Sequence, residues 1–174
     1  IDDKKKETIL EAQKIIISTG SEPVSLPNVK FDEKIILSST GALSLKSVPK
    51  KMIIVGGGYI GLEMGSVWSR LGSEVHVIEF LEHITPGMDK EVSKEFMKIL
   101  TKQGISFHME TKVESIKNNK ASAKVLLMDK DGKKKELECD VVLISVGRKP
   151  NTKNLKLDSV GVLLDEKKRI KVNK

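Results

Sequence analysis

The stretch Met52-Ile53-Ile54-Val55-Gly56-Gly57-Gly58-Tyr59-Ile60-Gly61-Leu62-Glu63 decides the fold. Its first four residues are apolar and mostly β-branched, which reads as a short buried strand. The strand runs directly into glycine. Beyond it Ile60, Met64, Val67 and Leu71 recur at helical spacing, and Gly72 stands where a C′ glycine would close the helix. In that setting Gly56-x-Gly58-x-x-Gly61 acquires a physical meaning. Gly56 permits a tight turn out of the strand, Gly58 leaves a pyrophosphate room against the backbone, and Gly61 lets the helix pack close to the strand. The helix N-terminus then offers free N–H groups and a partial positive charge to phosphates. Glycine clusters are common, so the pattern points to a dinucleotide only because a strand precedes it, an amphipathic helix follows, and a second strand comes after.

That second strand is Val75-His76-Val77-Ile78, and it ends in Glu79, 18 residues beyond Gly61. A carboxylate at this position accepts hydrogen bonds from the ribose hydroxyls of NAD and opposes the 2′-phosphate of NADP. No arginine lies between Gly72 and Arg148 to take the opposite part. FAD satisfies the same fingerprint, so spacing alone leaves NAD and FAD both open. Glu63 falls in the first turn of the helix, where a carboxylate suits the dipole but crowds an anion site. This gives it either a plain capping part or a part toward another cofactor.

Further along, Asp89 caps a second helix with Val92, Phe96, Ile99 and Leu100 as its buried stripe, and Gly104 ends it. Residues 105–108 form a third short strand. Between Thr111 and Glu138 three strand-like runs are separated by Asn118-Asn119 and by Asp131-Gly132, a hairpin signal. A last buried strand runs from Val141 to Val146. Upstream, Ile15-Ile16-Ile17 reads as a buried strand, and residues 20–50 as an ordered connection with one short strand near Ile35-Ile36-Leu37. The fold class is therefore α/β: a Rossmann-like βαβαβ parallel sheet with an antiparallel β-meander inserted before the last strand.

A chain of 174 residues suffices for one sizeable core. No run approaches the length of a membrane span, and the charged residues before Ile9 do not form a signal-peptide core. The chain opens at Ile1 rather than Met, which reads as a fragment or processed product. The net charge is +7, carried largely in the runs Lys4–Lys6, Lys133–Lys135 and Lys167–Arg169. With aromatics at 3% there is no stacking platform, so these runs read as solvated turns and not as a nucleic-acid surface. Cys139 is the only cysteine, which excludes an internal disulfide, and it reads as a small core or edge residue. His76 alternates with two valines, and His83 and His108 have no partner at metal-ligand spacing. No metal site and no nucleophilic triad is legible.

Longer strings resemble the dihydrolipoamide dehydrogenases, of mitochondrial type, within the flavoprotein disulfide reductase family. They are Ser38 to Leu45, Gly56 to Glu63, Gly65 to Trp68, Arg70-Leu71-Gly72, Val77 to Phe80, Lys102-Gln103-Gly104, Thr111-Lys112-Val113 and Gly147-Arg148-Lys149-Pro150. The resemblance covers most of the chain. It implies an enzyme of FAD, NAD and dimer-interface domains that oxidises dihydrolipoamide through a redox disulfide and FAD to NAD+. It also implies a homodimer, lipoyl domains of 2-oxoacid dehydrogenase complexes and of the glycine cleavage system as partners, and the mitochondrial matrix as location. Residues 45–147 match the NAD-binding domain, 1–44 an FAD-domain segment and linker, and 148–174 the start of the return to the FAD domain.

The site residues implied by the resemblance are Gly56, Gly57, Gly58, Tyr59, Ile60, Gly61, Leu62 and Glu63 around the pyrophosphate and nicotinamide. Tyr59 stands where relatives carry a gate over the flavin, and Glu63 matches a glutamate near nicotinamide and flavin. Glu79 matches the ribose-binding acid, while Val113 and Gly147 match backbone contacts to NAD. Thr19, Gly20 and Ser21 match an FAD-contacting stretch, with Ser18 in place of the usual alanine. The flavin glycine fingerprint, the Cys-x4-Cys pair, the later Gly-Asp motif and the catalytic His-Glu pair are all missing from the 174 residues. The expectation is thus the NAD-binding region of a longer enzyme, without catalysis or tight FAD binding of its own. The competing readings are another flavoprotein disulfide reductase, such as a mercuric or glutathione reductase, and a non-catalytic nucleotide-binding module.

Overall fold

The computed structural model describes residues 8–173. The lysine run at Lys4–Lys6 lies outside the described residues. The described residues form two compact units: Pro23–Lys149, and a smaller one of residues 8–22 and 150–173.

Short strands β1 (Ser21–Pro23) and β10 (Arg148–Pro150) pair with each other. The larger unit contains β2 (Ile36–Leu37), α1 (Ser39–Leu43), β3 (Lys51–Val55), α2 (Tyr59–Arg70), β4 (Glu74–Ile78), α3 (Lys90–Lys102) and β5 (Ser106–His108). These are followed by β6 (Thr111–Asn118), β7 (Ala123–Asp129), β8 (Lys134–Cys139) and β9 (Val141–Ile144). Five parallel strands form one sheet in the order β2-β9-β3-β4-β5. A separate antiparallel sheet holds β6-β7-β8, the expected meander, with a bulge between Val113 and Ser115.

The central strands β3 and β9 are buried on both faces, which is why Met52–Val55 and Val141–Ile144 are continuous apolar runs, whereas β4 and β5 carry the partly buried His76 and His108. On one face Met52, Ile54, Val75, Val77 and Leu143 pack against Ala42, Leu62, Trp68 and Leu100 from the helices. On the other, Ile53, Val55, Ile78, Val142 and Ile144 meet Ala123, Val125, Leu127, Leu137 and Cys139 from the meander. Cys139 is thus a core residue, as its sequence setting indicated. Burial pushes its thiol pKa up to about 12, so it is an inert packing group.

Both long helices present a different face to the sheet from the one expected. In α2 the buried residues are Gly61, Leu62, Gly65 and Trp68, whereas Val67 and Leu71 are exposed. A Cβ on Gly65 would stand 2.9 Å from Ile54 Cδ1, so two glycines one turn apart set the close approach of helix and sheet. In α3 Ser93 and Leu100 are buried while Val92, Phe96 and Ile99 are exposed. Ser93 tolerates burial because its hydroxyl hydrogen-bonds the buried Thr85 hydroxyl at 2.8 Å. The termini of α3 follow the sequence: the Asp89 carboxylate accepts from the N–H groups of Glu91 and Val92, and Gly104 turns the chain at φ +99°.

Helix α1 was not expected. It forms because Ser38 caps its N-terminus by accepting from Thr40 N–H, and the Glu33 carboxylate accepts from Ser38 N–H. With β2 it brings part of the 1–44 segment into the larger unit. In the smaller unit the expected strand Ile15–Ile17 forms no regular element and has no ladder partner among the described residues, and Ile15 and Ile16 are 80% and 90% exposed. A β-branched run becomes a buried strand only when something covers it, and among the described residues nothing does. The remainder of this unit is a short 3-10 turn at Leu157–Val160 and a tight loop in which Asp165 accepts from the Lys167 and Arg169 backbone N–H groups.

Candidate nucleotide-binding site

The parallel strands β3, β4 and β9 end on one side of the sheet, and a cavity of about 1010 Å³ opens there. Val55, Ile78 and Ser145 form its floor, beside the strand at which the chain order of the sheet reverses. Open α/β sheets bind their ligands at such a reversal. The volume is at the upper end of ordinary ligand cavities, which suits a dinucleotide better than a mononucleotide.

The glycine loop is held rigid before any ligand arrives. Gly56 sits at φ +108°, its N–H donates to Ile78 O at 2.9 Å, and a Cβ there would stand 2.6 Å from Ser145 O. The Ser145 hydroxyl lies 3.1 Å from Val55 O and 3.2 Å from Gly56 O, fastening the turn from β9. Gly57 is clamped at both ends: its N–H donates to Glu79 Oε2 at 2.6 Å, and its carbonyl accepts from Thr85 N–H at 2.8 Å. Thr85 makes that bond from φ +50°, a conformation that a β-branched residue rarely adopts.

Gly58 behaves differently from its neighbours. Its φ is −78°, and a Cβ built on it meets no protein atom within 4 Å. Nothing within the fold requires a glycine here, so the open space beside it fits a group that presses on the backbone. Gly58 is also the N-cap of α2 and makes no side-chain capping bond, and the first residues of the helix, Tyr59 and Ile60, line the cavity. Gly61, by contrast, is fixed by packing, since its Cβ would fall 2.3 Å from Gly56 O.

Glu79 is buried at the cavity wall. Oε2 accepts from Gly57 N–H and Oε1 from Leu81 N–H at 2.9 Å. Each carboxylate oxygen has a second lone-pair direction, so two acceptor sites remain for a diol. The backbone of Glu79 is pinned as well, its N–H to His108 O and its carbonyl to Thr111 N–H, both at 2.9 Å.

Of the expected residues, the cavity brings together Gly56, Gly58, Tyr59, Ile60, Glu79, Val113 and Gly147. Gly57 touches it only through the Glu79 carboxylate, while Gly61 and Leu62 are buried in the helix–sheet contact. Glu63 is exposed on α2 and does not line the cavity. Thr19, Gly20 and Ser21 are exposed and belong to the smaller unit. Sequence reasoning missed Ser145, Thr85 and the rim formed by Leu26 to Val29. Ser145 carried a signal, being a polar residue at the end of a wholly buried strand. The rim comes from a distant connection with no local mark. Among the described residues no group of three or more His, Cys, Asp and Glu is placed to hold a metal, and no helix is long and apolar enough to cross a membrane.

A family model for pyridine nucleotide-disulphide oxidoreductases matches residues 1–174. The mitochondrial dihydrolipoyl dehydrogenase of Dictyostelium discoideum is 54% identical over 166 residues, covering 94% of this chain and 34% of that protein. The dihydrolipoyl dehydrogenase of Manduca sexta is 52% identical over 176 residues, covering 98% and 35%. Among solved structures, the HOCl-induced flavoprotein disulfide reductase RclA from Escherichia coli, as its Cu(II) complex, superposes with a TM-score of 0.77 at 30% identity. That match covers 90% of this chain and 35% of RclA. The chain spans about one third of the length of the curated relatives it matches. A clamped glycine turn, an open Gly58 and a buried acid at the next strand end thus accompany a family match over the full length: the chain belongs to the pyridine nucleotide-disulphide oxidoreductases.

Proposed function

We propose that this chain is the NAD-binding region of a dihydrolipoamide dehydrogenase. The observation that carries the nucleotide reading is the pairing of Gly58, whose missing side chain no protein atom explains, with the Glu79 carboxylate and its two remaining acceptor sites. In this reading Gly56 to Leu62 surround the pyrophosphate, with its charge on the N-terminus of α2. Glu79 holds the adenine ribose, and Val113 and Gly147 contact the nucleotide by their backbones. The bound NAD+ supplies a hydride acceptor. This chain's residues bind and orient it: the clamped loop sets the phosphate position, and the apolar floor of Val55 and Ile78 keeps water from the sheet side.

The substrate assignment rests on the identities of 54% and 52% to dihydrolipoyl dehydrogenases. In the longer protein Thr19, Gly20 and Ser21 would contact FAD, with Tyr59 and Glu63 near the flavin and nicotinamide. Residues 45–147 would form the NAD domain, flanked by segments of an FAD domain. The partners would be lipoyl domains of 2-oxoacid dehydrogenase complexes and the glycine cleavage system, the assembly a homodimer, and the location the mitochondrial matrix. The test is the full-length protein carrying this chain, assayed for NADH formation from dihydrolipoamide and NAD+. Turnover is the expected result. A flavoprotein that leaves dihydrolipoamide untouched and reduces another disulfide would overturn the substrate assignment.

A further inference from the structure

His76 and His108 stand on neighbouring parallel strands, with His108 in register with Ile78 and His76 with Ser106. Their rings meet through His76 Nδ1 and His108 Nε2 at 3.0 Å. The ring centres are 5.3 Å apart, longer than the nitrogen contact by about the two centre-to-nitrogen distances. The rings therefore point at each other head to head, the geometry of one linear N–H···N hydrogen bond. The other nitrogen of His76 lies 2.7 Å from Glu74 Oε1, and Glu74 is bridged at 2.8 Å by Lys51.

This arrangement fixes the protons. The Glu74 carboxylate only accepts, so His76 Nε2 carries a hydrogen; in the neutral pair His76 Nδ1 then accepts from His108 Nε2–H. One added proton is accommodated, because a linear bond between two imidazoles needs one hydrogen between them. A second places N–H against N–H at the same contact, and the two rings must part. The charged groups around the pair are Lys51 on β3, Glu74 on β4 and Lys135 on β8, so cations outnumber the single carboxylate.

The pair also lies directly behind the proposed ribose clamp. Strand β5 is the sheet edge, three residues long, and among the described residues β4 is its only ladder partner. The carbonyl of His108 accepts the backbone N–H of Glu79, and Glu110 N–H donates to Leu81 O at 3.1 Å. Rings that push apart move β5 and draw on both Glu79 and Leu81, the residue whose own N–H steadies the Glu79 carboxylate.

We propose that His76 and His108 are positioning residues for Glu79, and that a second proton on the pair loosens the clamp and weakens nucleotide binding at acid pH. The inference rests on the nucleotide reading of the cavity. By linkage, protons that weaken NAD+ must themselves be weakened by NAD+ to the same extent.

The test is carried out on the full-length protein. Imidazole resonances of His76 and His108 are followed by NMR through a pH titration with and without saturating NAD+, and calorimetry gives NAD+ affinity between about pH 7.5 and pH 5. The expected result is a downward shift of the pair's second titration step on NAD+ binding, with affinity falling by up to about tenfold per pH unit below that step. His108→Gln keeps a donor beside His76 and removes the second protonation at this contact, so it should flatten the pH profile of NAD+ affinity. A pair that titrates identically with and without bound NAD+ would overturn this proposal alone. Failure of NAD+ to bind at pH 7.5 would overturn the nucleotide reading and the proposal with it.

Discussion

A Cβ on Gly61 would stand 2.3 Å from a backbone oxygen, whereas one on Gly58 would meet no protein atom. The same substitution at these two sites therefore separates folding from binding. Gly61→Ala forces the turn and helix apart and should cost about 1–3 kcal/mol of stability, read as a lower Tm. Gly58→Ala should cost no more than about 1 kcal/mol, the usual N-cap penalty. Its NAD+ affinity should nevertheless fall by about tenfold or more, equivalent to about 1.4 kcal/mol, because the methyl occupies the phosphate's approach. His108 gives a second prediction at this scale. Burial, then the neighbouring His76, Lys135 and Lys51, hold its pKa below the ordinary 6.5. On acidification the unfolded chain takes up this proton first. The contribution is thus complete above about pH 6.5 and is lost as the pH falls. Thermal unfolding should show a lower Tm near pH 5 than near pH 7.5, and His108→Gln should narrow that difference. At this scale the sequence was readable where a residue's job is local. Glu79 and the glycines announced themselves by spacing. Thr85 and Ser145 did not, because their work is to hold a loop that lies 28 and 89 residues away from them in the chain, measured to Gly57 and Gly56 respectively.

At the scale of elements, the ends were easier to read than the faces. Asp89 and Gly104 bracket α3 because capping is a contest over a few backbone groups adjacent in sequence. Asp89→Ala removes the acceptor for two N–H groups and should lower stability by about 1 kcal/mol, measured by denaturant unfolding, with NAD+ affinity unchanged. The faces misled for one physical reason in both helices. Hydropathy counts large apolar side chains, but the contact with a parallel sheet rewards close approach. In α2 that approach belongs to Gly61 and Gly65, and in α3 to Ser93 with its hydroxyl partner, so the stripe of bulky residues lies beside the buried face. The glycine pair one turn apart was the signal available. The hairpin at Asp131-Gly132 was legible because Asp-Gly favours a tight turn, and Gly132 takes φ +79° there.

Across the whole molecule, chain order from β3 to β9 followed from the alternation of strand and helix, with a meander between β5 and β9. The insertion of β9 between β2 and β3 did not, since it depends on pairing across 89 residues from Met52 to Val141. Nor did the placement of the meander on the sheet face opposite the helices, which only the shared core of Ile53, Val55 and Val125 reveals. These two long-range facts complete the cavity: β9 brings Ser145 and Gly147 to its floor and rim, and the meander brings Val113. The proposed role of this cavity is to hold NAD with Glu79 on its ribose. Its most direct test is calorimetric titration of the full-length protein with NAD+ and NADP+, before and after Glu79→Arg. NAD+ should bind at least about tenfold more tightly than NADP+, from the loss of one or more charge-assisted hydrogen bonds of about 1.5–3 kcal/mol each. The substitution should shift the ratio toward NADP+. Equal affinities for the two nucleotides, or a ratio that Glu79→Arg leaves in place, would contradict it.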